Sequence, residues 1–357
     1  MPEKVLMKGN EAISEGAMAA GCLYFFGYPI TPQNEVSAYL AKELPKRGGV
    51  FLQAESEIAA INMVIGASAA GARAMTSSSS PGVALKSEGL SYLSGCDLPA
   101  VVINVQRAGP GLGGIQPGQA DYYHATRGAG HGDFKMIVLA PSSVQEMYDF
   151  GYEAFGLADK YRITAMVLSD GALGQMMEPA ELTEKNEKTG YKKDWALTST
   201  GMKRGKNIIN SLNLQPDELE AENIKRYERY AGIEKNEARH ESYLADDADI
   251  IVAAYGVTAR VAKNAVDAAR AEGIKAGLIR PVTLWPFPAD AFKKGAERAK
   301  AFITAEMSMG QMHSDVELAI RCSRPNYKCG RTGGVVHAPE DILNSIREAV
   351  KREEDGA

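Results

Sequence analysis

The 357-residue chain has no run approaching the roughly 18 apolar residues that a membrane span needs. Glu3, Glu11 and Glu15 interrupt the N-terminal stretch MPEKVLMKGNEAISEGAMAAG where the apolar core of a signal peptide would lie. A soluble, cytoplasmic protein is therefore expected. Basic charge is not in excess either: 40 Lys and Arg stand against 45 Asp and Glu, for a formal charge of -5. No electrostatic footprint for nucleic acid or an anionic membrane surface results, so small molecules and other proteins are the expected partners. Cysteine is scarce. Cys22, Cys96, Cys322 and Cys329 form no CxxC and no metal-ligand spacing, and they read as reduced and mostly buried. Internal repeats and low-complexity segments are absent as well.

What is present is material for two globular cores, with 45% hydrophobic and 24% charged residues. From Cys22 to Asp170 the runs CLYFFGY, VFLQA, RAMTSS, AVVINVQ, MIVLAP and ITAMVLSD read as strands, with helical patterns between most of them. That alternation predicts an α/β domain with a mainly parallel sheet, and ligands of such sheets bind at the carboxyl ends of the strands. Between Glu181 and Ala245, 24 of 65 residues are charged. The periodic piece there begins at Pro216, which suits the first turn of a helix, and Leu219, Tyr227, Tyr230 and Ile233 can share one face. Strand-like DIIVAAYG, IKAGLIRP and AFITAEMS follow. The resulting division is a first domain over 1–185, a charged, partly helical connector over 186–245, and a smaller α/β domain over 246–357.

The turns after VFLQA, RAMTSS and AVVINVQ matter most, and the turn after CLYFFGY is unusual in its prolines. In GYPITPQNE, Gly27 to Glu35, Pro29 and Pro32 occupy a strand-to-helix turn where a phosphate cradle would carry glycine. Each removes an N–H donor and fixes φ, so the loop is a stiff bracket that can aim the Thr31 hydroxyl. In QAESEIAAINMVIGASAAGARAMTSSSSPG, Glu55 and Glu57 stand at the mouth of a small-residue helix, and a second strand ends in serines. A structural reading is available: Glu57 complements the helix dipole and the serines cap a turn. In QRAGPGLGGIQPGQ, Gly109, Gly111 and Gly114 satisfy GxGxxG. Pro117 and Gly118 interrupt the helix that a dinucleotide turn must open, so a close backbone approach to a ligand or a neighbouring subunit is the better reading.

The Glu57 segment followed by TSSSSPG resembles the pyrimidine-binding domain of thiamine diphosphate enzymes. Together with GYPITP, VQRAGPGLG, SYLADDADIIVAAYG, LIRPVTLWPFP and AEMSMGQM, it resembles the α subunit of 2-oxoacid:ferredoxin oxidoreductases over nearly the whole chain. QAESEIAAINM, QRAGPGLG, ADYYHATRGAGHGD and EMSMGQM are most similar to the branched-chain (2-oxoisovalerate) type. The resemblance implies a thiamine-diphosphate-binding fold plus a transketolase C-terminal-like domain that mainly supports assembly. It also implies CoA-dependent oxidative decarboxylation of a 2-oxoacid, with electrons passing to ferredoxin.

Glu57 would bond N1′ of the pyrimidine and favour its imino tautomer. Thr31 would face the reacting end of the 2-oxoacid, Arg107 would clamp its carboxylate, and Tyr28, Pro29, Ser79 and Ser80 would line the cofactor pocket. His124 and His131 are read as polar loop support. The diphosphate motif GDG followed by Asn is missing, GDF at Gly132 and SDG at Ser169 being poor substitutes, and no cysteines are spaced for an iron–sulfur cluster. The resemblance implies that Mg2+, the clusters and much of the CoA site belong to companion chains, a diphosphate-binding β subunit and γ and ferredoxin-like δ subunits. The chain alone is expected to be inactive. A 2-oxoglutarate- or pyruvate-specific member, a ferredoxin-independent thiamine decarboxylase of transketolase or sulfopyruvate-decarboxylase type, and a nucleotide-binding module built on GPGLGG stay open as alternatives.

Overall fold

The computed structural model describes residues 4–182, 191–198 and 203–355. The expected boundary at 185/186 lies outside the described residues. In chain order the strands are β1 (Lys4–Lys8), β2 (Tyr24–Gly27), β3 (Val50–Gln53), β4 (Ala74–Ser78), β5 (Ala100–Gln106), β6 (Ile137–Leu139), β7 (Thr164–Asp170) and β8 (Met177–Glu181). They are followed by β9 (His240–Tyr243), β10 (Ile250–Ala253), β11 (Ala276–Pro281), β12 (Thr283–Trp285), β13 (Ala301–Glu306) and β14 (Asn326–Gly330).

A seven-stranded sheet has the order β12-β6-β7-β5-β4-β2-β3, and a five-stranded sheet the order β14-β13-β10-β11-β9. Every pairing in the first is parallel except β12 with β6, and every pairing in the second except β9 with β11. Strands β5 and β7 are buried at all of their residues, as continuous apolar runs in the middle of a helix-covered parallel sheet should be. β1 and β8 form a separate antiparallel ribbon.

The expected strand runs all appear, and β5, β4, β2 and β3 lie side by side, so the turns singled out above collect at one edge. The two units are not merely tethered. β12, cut from the LIRPVTLWPFP segment, leaves the second unit and becomes the edge strand of the first sheet, and Leu284, Trp285 and Phe292 join the same core as Ile137 and Leu139. A second core, with Val252, Val266 and Ile346, fills the space between the five-stranded sheet and the helices Gly256–Ala271 and Pro339–Asp355.

The connector contributes the helix Pro216–Glu237. Its buried face is narrower than the periodicity suggests. Tyr230 and Ile233 are buried, and the Tyr230 ring meets Trp285 edge-on at 5.7 Å. Leu219 and Tyr227 are 41% and 45% exposed, because Arg226 occupies the inner face instead, reaching Asp97.

Candidate functional site

Helix Glu57–Ala69 starts where β3 ends. Ser56 caps it, its side chain accepting from Ala59 N at 3.1 Å, and this fixes the direction in which the first-turn carboxylate of Glu57 points. That carboxylate is buried, whereas Glu55 is exposed. It lies over the turn after β4: a Cβ on Gly82 would come within 2.8 Å of Glu57 Oε1 and 2.2 Å of Ser78 Oγ. Only glycine allows this approach. The hydroxyls of Ser78 and Ser79, both fully buried, have no protein partner.

Ser80 turns the other way, donating to Asp121 Oδ2 at 2.6 Å and accepting from Arg107 N at 3.0 Å. Asn104 Nδ2 donates to the same Asp121 oxygen at 3.0 Å, so the ends of β4 and β5 are locked together. Of the residues expected to line the pocket, Ser79 thus presents an unpaired polar group, while Ser80 is committed to holding the loops.

Arg107 is buried and spans the loops after β2 and β5. Its Nη1 donates to the Thr31 carbonyl and its Nη2 to the Leu112 carbonyl, both at 3.0 Å, and Nε has no partner. Thr31 and Arg107 are therefore brought together, but through a main-chain oxygen; the Thr31 hydroxyl accepts from Asn34 Nδ2 at 3.1 Å. Gln33, fully buried, ties the bracket down: Nε2 donates to the Tyr28 carbonyl at 3.2 Å and Oε1 accepts from Ser77 Oγ at 2.5 Å. Asn10 donates to the Pro32 carbonyl at 2.8 Å from beneath. Tyr28 is half-buried and Pro29 exposed at the same turn.

The GPGLGG stretch opens no helix. Ala108 N donates to the Gln116 carbonyl at 2.8 Å and Gly114 N to the Ala108 carbonyl at 3.0 Å, which closes the loop on itself with Gly111 and Gly113 at positive φ. Gly114 N is committed within the loop, and no helix start follows the glycines directly to face a phosphate. His124 Nε2 stands 3.3 Å from Ser87 Oγ, and burial lowers its pKa; the His131 carbonyl accepts from Ser91 at 2.7 Å. Both brace the helix Ser87–Gly95.

The second unit's loops pack against the first. The Gln119 Oε1 accepts from Thr258 Oγ1 at 3.0 Å and Met307 N at 2.9 Å, and its Nε2 donates to the Tyr255 carbonyl at 2.9 Å. Gln311 Nε2 donates to the Ala120 carbonyl at 2.7 Å. GVTARV and EMSMGQM are therefore occupied in packing. The four cysteines are free, two of them buried, and burial pushes the Cys22 thiol up to about 12. No group of three or more His, Cys, Asp or Glu side chains among the described residues could hold a metal ion.

A pyrimidine ring fits what this edge offers: a buried carboxylate at a helix start, a glycine floor and unpaired hydroxyls. Residues 15–249 match the family model described as pyruvate flavodoxin/ferredoxin oxidoreductase, thiamine diphosphate-binding, and residues 248–342 match pyruvate:ferredoxin oxidoreductase core domain II. The chain belongs to the 2-oxoacid:ferredoxin oxidoreductase family.

Within it, the chain is 49% identical over 350 residues to ketoisovalerate oxidoreductase subunit VorB of Methanothermobacter marburgensis, covering 98% of this chain and 99% of that one. Identity to 2-oxoglutarate synthase subunit KorA of the same organism is 35%, over 97% of this chain and 99% of KorA. The solved 2-oxoglutarate:ferredoxin oxidoreductase from Magnetococcus marinus, with 2-oxoglutarate, coenzyme A and succinyl-CoA bound, matches at a TM-score of 0.87 and 30% identity. That match covers 98% of this chain and 66% of the longer one. A split-gene transketolase at 13% identity and a TM-score of 0.57, matched over 98% of this chain and 99% of its own, shares the fold. No helix among the described residues is long and apolar enough to cross a membrane.

Sequence reasoning missed Gln33, Asp121, Gln119 and Lys86. The first three are polar residues whose spelling carries no signal, since only the fold reveals their partners. Lys86 follows directly on the apolar run GVAL, and it is fully buried against Glu57.

Proposed function

We propose that this chain is the pyrimidine-side subunit of a branched-chain 2-oxoacid:ferredoxin oxidoreductase. The overall reaction converts 2-oxoisovalerate, CoA and two oxidised ferredoxins to isobutyryl-CoA, CO2, two reduced ferredoxins and a proton. The observation that carries this reading is the buried Glu57 carboxylate laid over Gly82 beside the unpaired Ser78 and Ser79 hydroxyls. The near-full-length identity to ketoisovalerate subunits supports the substrate class.

Thiamine diphosphate, when bound, supplies the carbanion that adds to the 2-oxo carbon and accepts the electrons left by CO2. Glu57 holds the proton at pyrimidine N1′. The free hydrogens of Arg107, Nε–H among them, face the substrate carboxylate, and its two bonds to the Thr31 and Leu112 carbonyls keep the guanidinium from swinging. The Thr31 hydroxyl, held by Asn34, keeps its own proton to donate to the substrate. Tyr28, Pro29 and Ser79 complete the pocket wall.

Mg2+ and the diphosphate belong to a β subunit, and the iron–sulfur clusters to partner chains that we take to be γ and δ subunits. Residues 1–185, 186–245 and 246–357 serve as cofactor domain, connector and assembly domain. The test is methyl-viologen reduction by the purified complex with CoA and, in turn, 2-oxoisovalerate, pyruvate, 2-oxoglutarate and indolepyruvate. Highest kcat/KM with 2-oxoisovalerate is expected. Preference for 2-oxoglutarate or pyruvate would reassign the substrate, and CO2 release without viologen reduction would favour a ferredoxin-independent decarboxylase.

A further inference from the structure

Lys86 sits at the break between the helices Ser80–Leu85 and Ser87–Gly95. Its side chain is fully buried, and Nζ makes one long hydrogen bond, 3.5 Å to the main-chain oxygen of Glu57. An ammonium withdrawn from water with so little hydrogen bonding is costly. The position adds to the cost, because the start of helix Glu57–Ala69 turns the positive end of its dipole to the same region. Among the described residues, Glu57 is the charged group that attracts it. On the following helix Glu88 accepts from the Tyr92 hydroxyl, and from helix Tyr122–Thr126 the ring of His124 stands against Ser87 under the influence of Asp121.

We propose that Lys86 is a positioning residue for Glu57: its ammonium, buried against the Glu57 main chain, biases the proton shared by the Glu57 carboxylate and pyrimidine N1′ toward the ring nitrogen. The inference rests on Glu57 facing the pyrimidine. A cation beside one partner of a shared proton favours the arrangement in which that partner is negative. Protonation at N1′ would acidify the exocyclic amino group, which must release one of its own protons before its nitrogen can act as the base toward thiazolium C2. Burial pulls the Lys86 pKa down to about 8 against the attraction of Glu57, so the ammonium is present at neutral pH and is lost in mildly alkaline solution.

The experiment uses the assembled complex loaded with thiamine diphosphate and reads hydrogen–deuterium exchange at C2 by NMR of acid-quenched cofactor. Wild type is compared with Lys86→Met, Lys86→Gln, Glu57→Gln and the double variant Lys86→Met/Glu57→Gln, and each cofactor-free complex is also melted. Both Lys86 variants are expected to slow exchange roughly tenfold at neutral pH, the factor that one displaced pKa unit implies. The gap to wild type should narrow as pH rises through about 8, melting should not fall, and the double variant should be no slower than Glu57→Gln alone. Wild-type exchange in both Lys86 variants would overturn the proposal. Equal slowing by Lys86→Met in the Glu57→Gln background, or slowing matched by a lowered melting temperature, would overturn it too. If Glu57→Gln itself exchanges at the wild-type rate, the reading of Glu57 fails and takes this one with it; a slow Glu57→Gln beside silent Lys86 variants removes the Lys86 role alone.

Discussion

The carboxyl ends of the two parallel sheets occupy equivalent places in their units, yet they are finished differently. At the seven-stranded sheet Ser78 Oγ, Ser79 Oγ and Arg107 Nε are buried and unpaired. At the five-stranded sheet, the turns after β10 and β13 are filled by Gln119, whose Oε1 and Nε2 are bonded to Thr258, Met307 and Tyr255. Unpaired buried polar groups cost about 1–3 kcal/mol each; the first edge leaves three of them at the turns after β4 and β5, whereas the second, where His313 Nδ1 and His337 Nδ1 are also unpaired, closes its turns after β10 and β13 on the first unit as a joint. Lys86 belongs to the first edge in this sense, as a buried cation that chemistry can use and stability does not need.

Substitutions can break this contrast from either side. After loss of the Glu57 acid itself, the largest effect is expected for Gly82→Ala, whose methyl would lie 2.2 Å from Ser78 Oγ and 2.8 Å from Glu57 Oε1. Displacing a proton-transfer group should cost roughly hundredfold in kcat, measured by viologen reduction, with cooperative melting retained.

Lys86→Met should separate stability from activity. The lysine pKa falls from 10.5 to about 8 on folding, and at 1.36 kcal/mol per unit the charged form costs about 3 kcal/mol. The unfolded chain binds more protons between those values, so wild-type stability rises with pH across that window. The variant should therefore melt higher than wild type at neutral pH, and that advantage should vanish as pH climbs through the window while turnover stays low at neutral pH.

Gln119→Leu attacks the joint instead. It strands Met307 N and Thr258 Oγ1, so a loss of about 2 kcal/mol in unfolding is expected, with kcat per assembled complex unchanged. The smallest of the four is Arg107→Ala, for which KM for the 2-oxoacid should rise by roughly tenfold, one charge-assisted hydrogen bond's worth. A kcat defect with unchanged KM would instead assign Arg107 to holding the Thr31 and Leu112 loops.

Much of this architecture is legible in the sequence because burial writes itself as apolar runs. AVVINVQ and TAMVLSD are central strands and could hardly be anything else. KVLMK, MEPAE, HESY and NYKCG also form strands, but each has exposed or half-exposed residues, so nothing in their composition separates them from loops. The buried face of the connector helix is narrower than its apolar periodicity suggests, since that periodicity cannot anticipate Arg226 taking the inner position to reach Asp97.

At the site, Glu57 and Thr31 stand out by turn chemistry, whereas Arg107 and Ser79 are singled out only through the resemblance to the family. Their supports do not stand out. Gln33 acts through Ser77 and Tyr28, and Asp121 through Ser80 and Asn104, partners that only the strand order β5-β4-β2 brings within reach.

The central claim is that Glu57 faces the pyrimidine, and Glu57→Gln tests it most directly, because the amide keeps the shape and the Ser56 cap while losing the acid–base function. In the assembled complex with saturating thiamine diphosphate, CoA and 2-oxoisovalerate, kcat should fall by about 10^2- to 10^4-fold with subunit association intact. A variant that assembles and turns over at the wild-type rate would contradict the account.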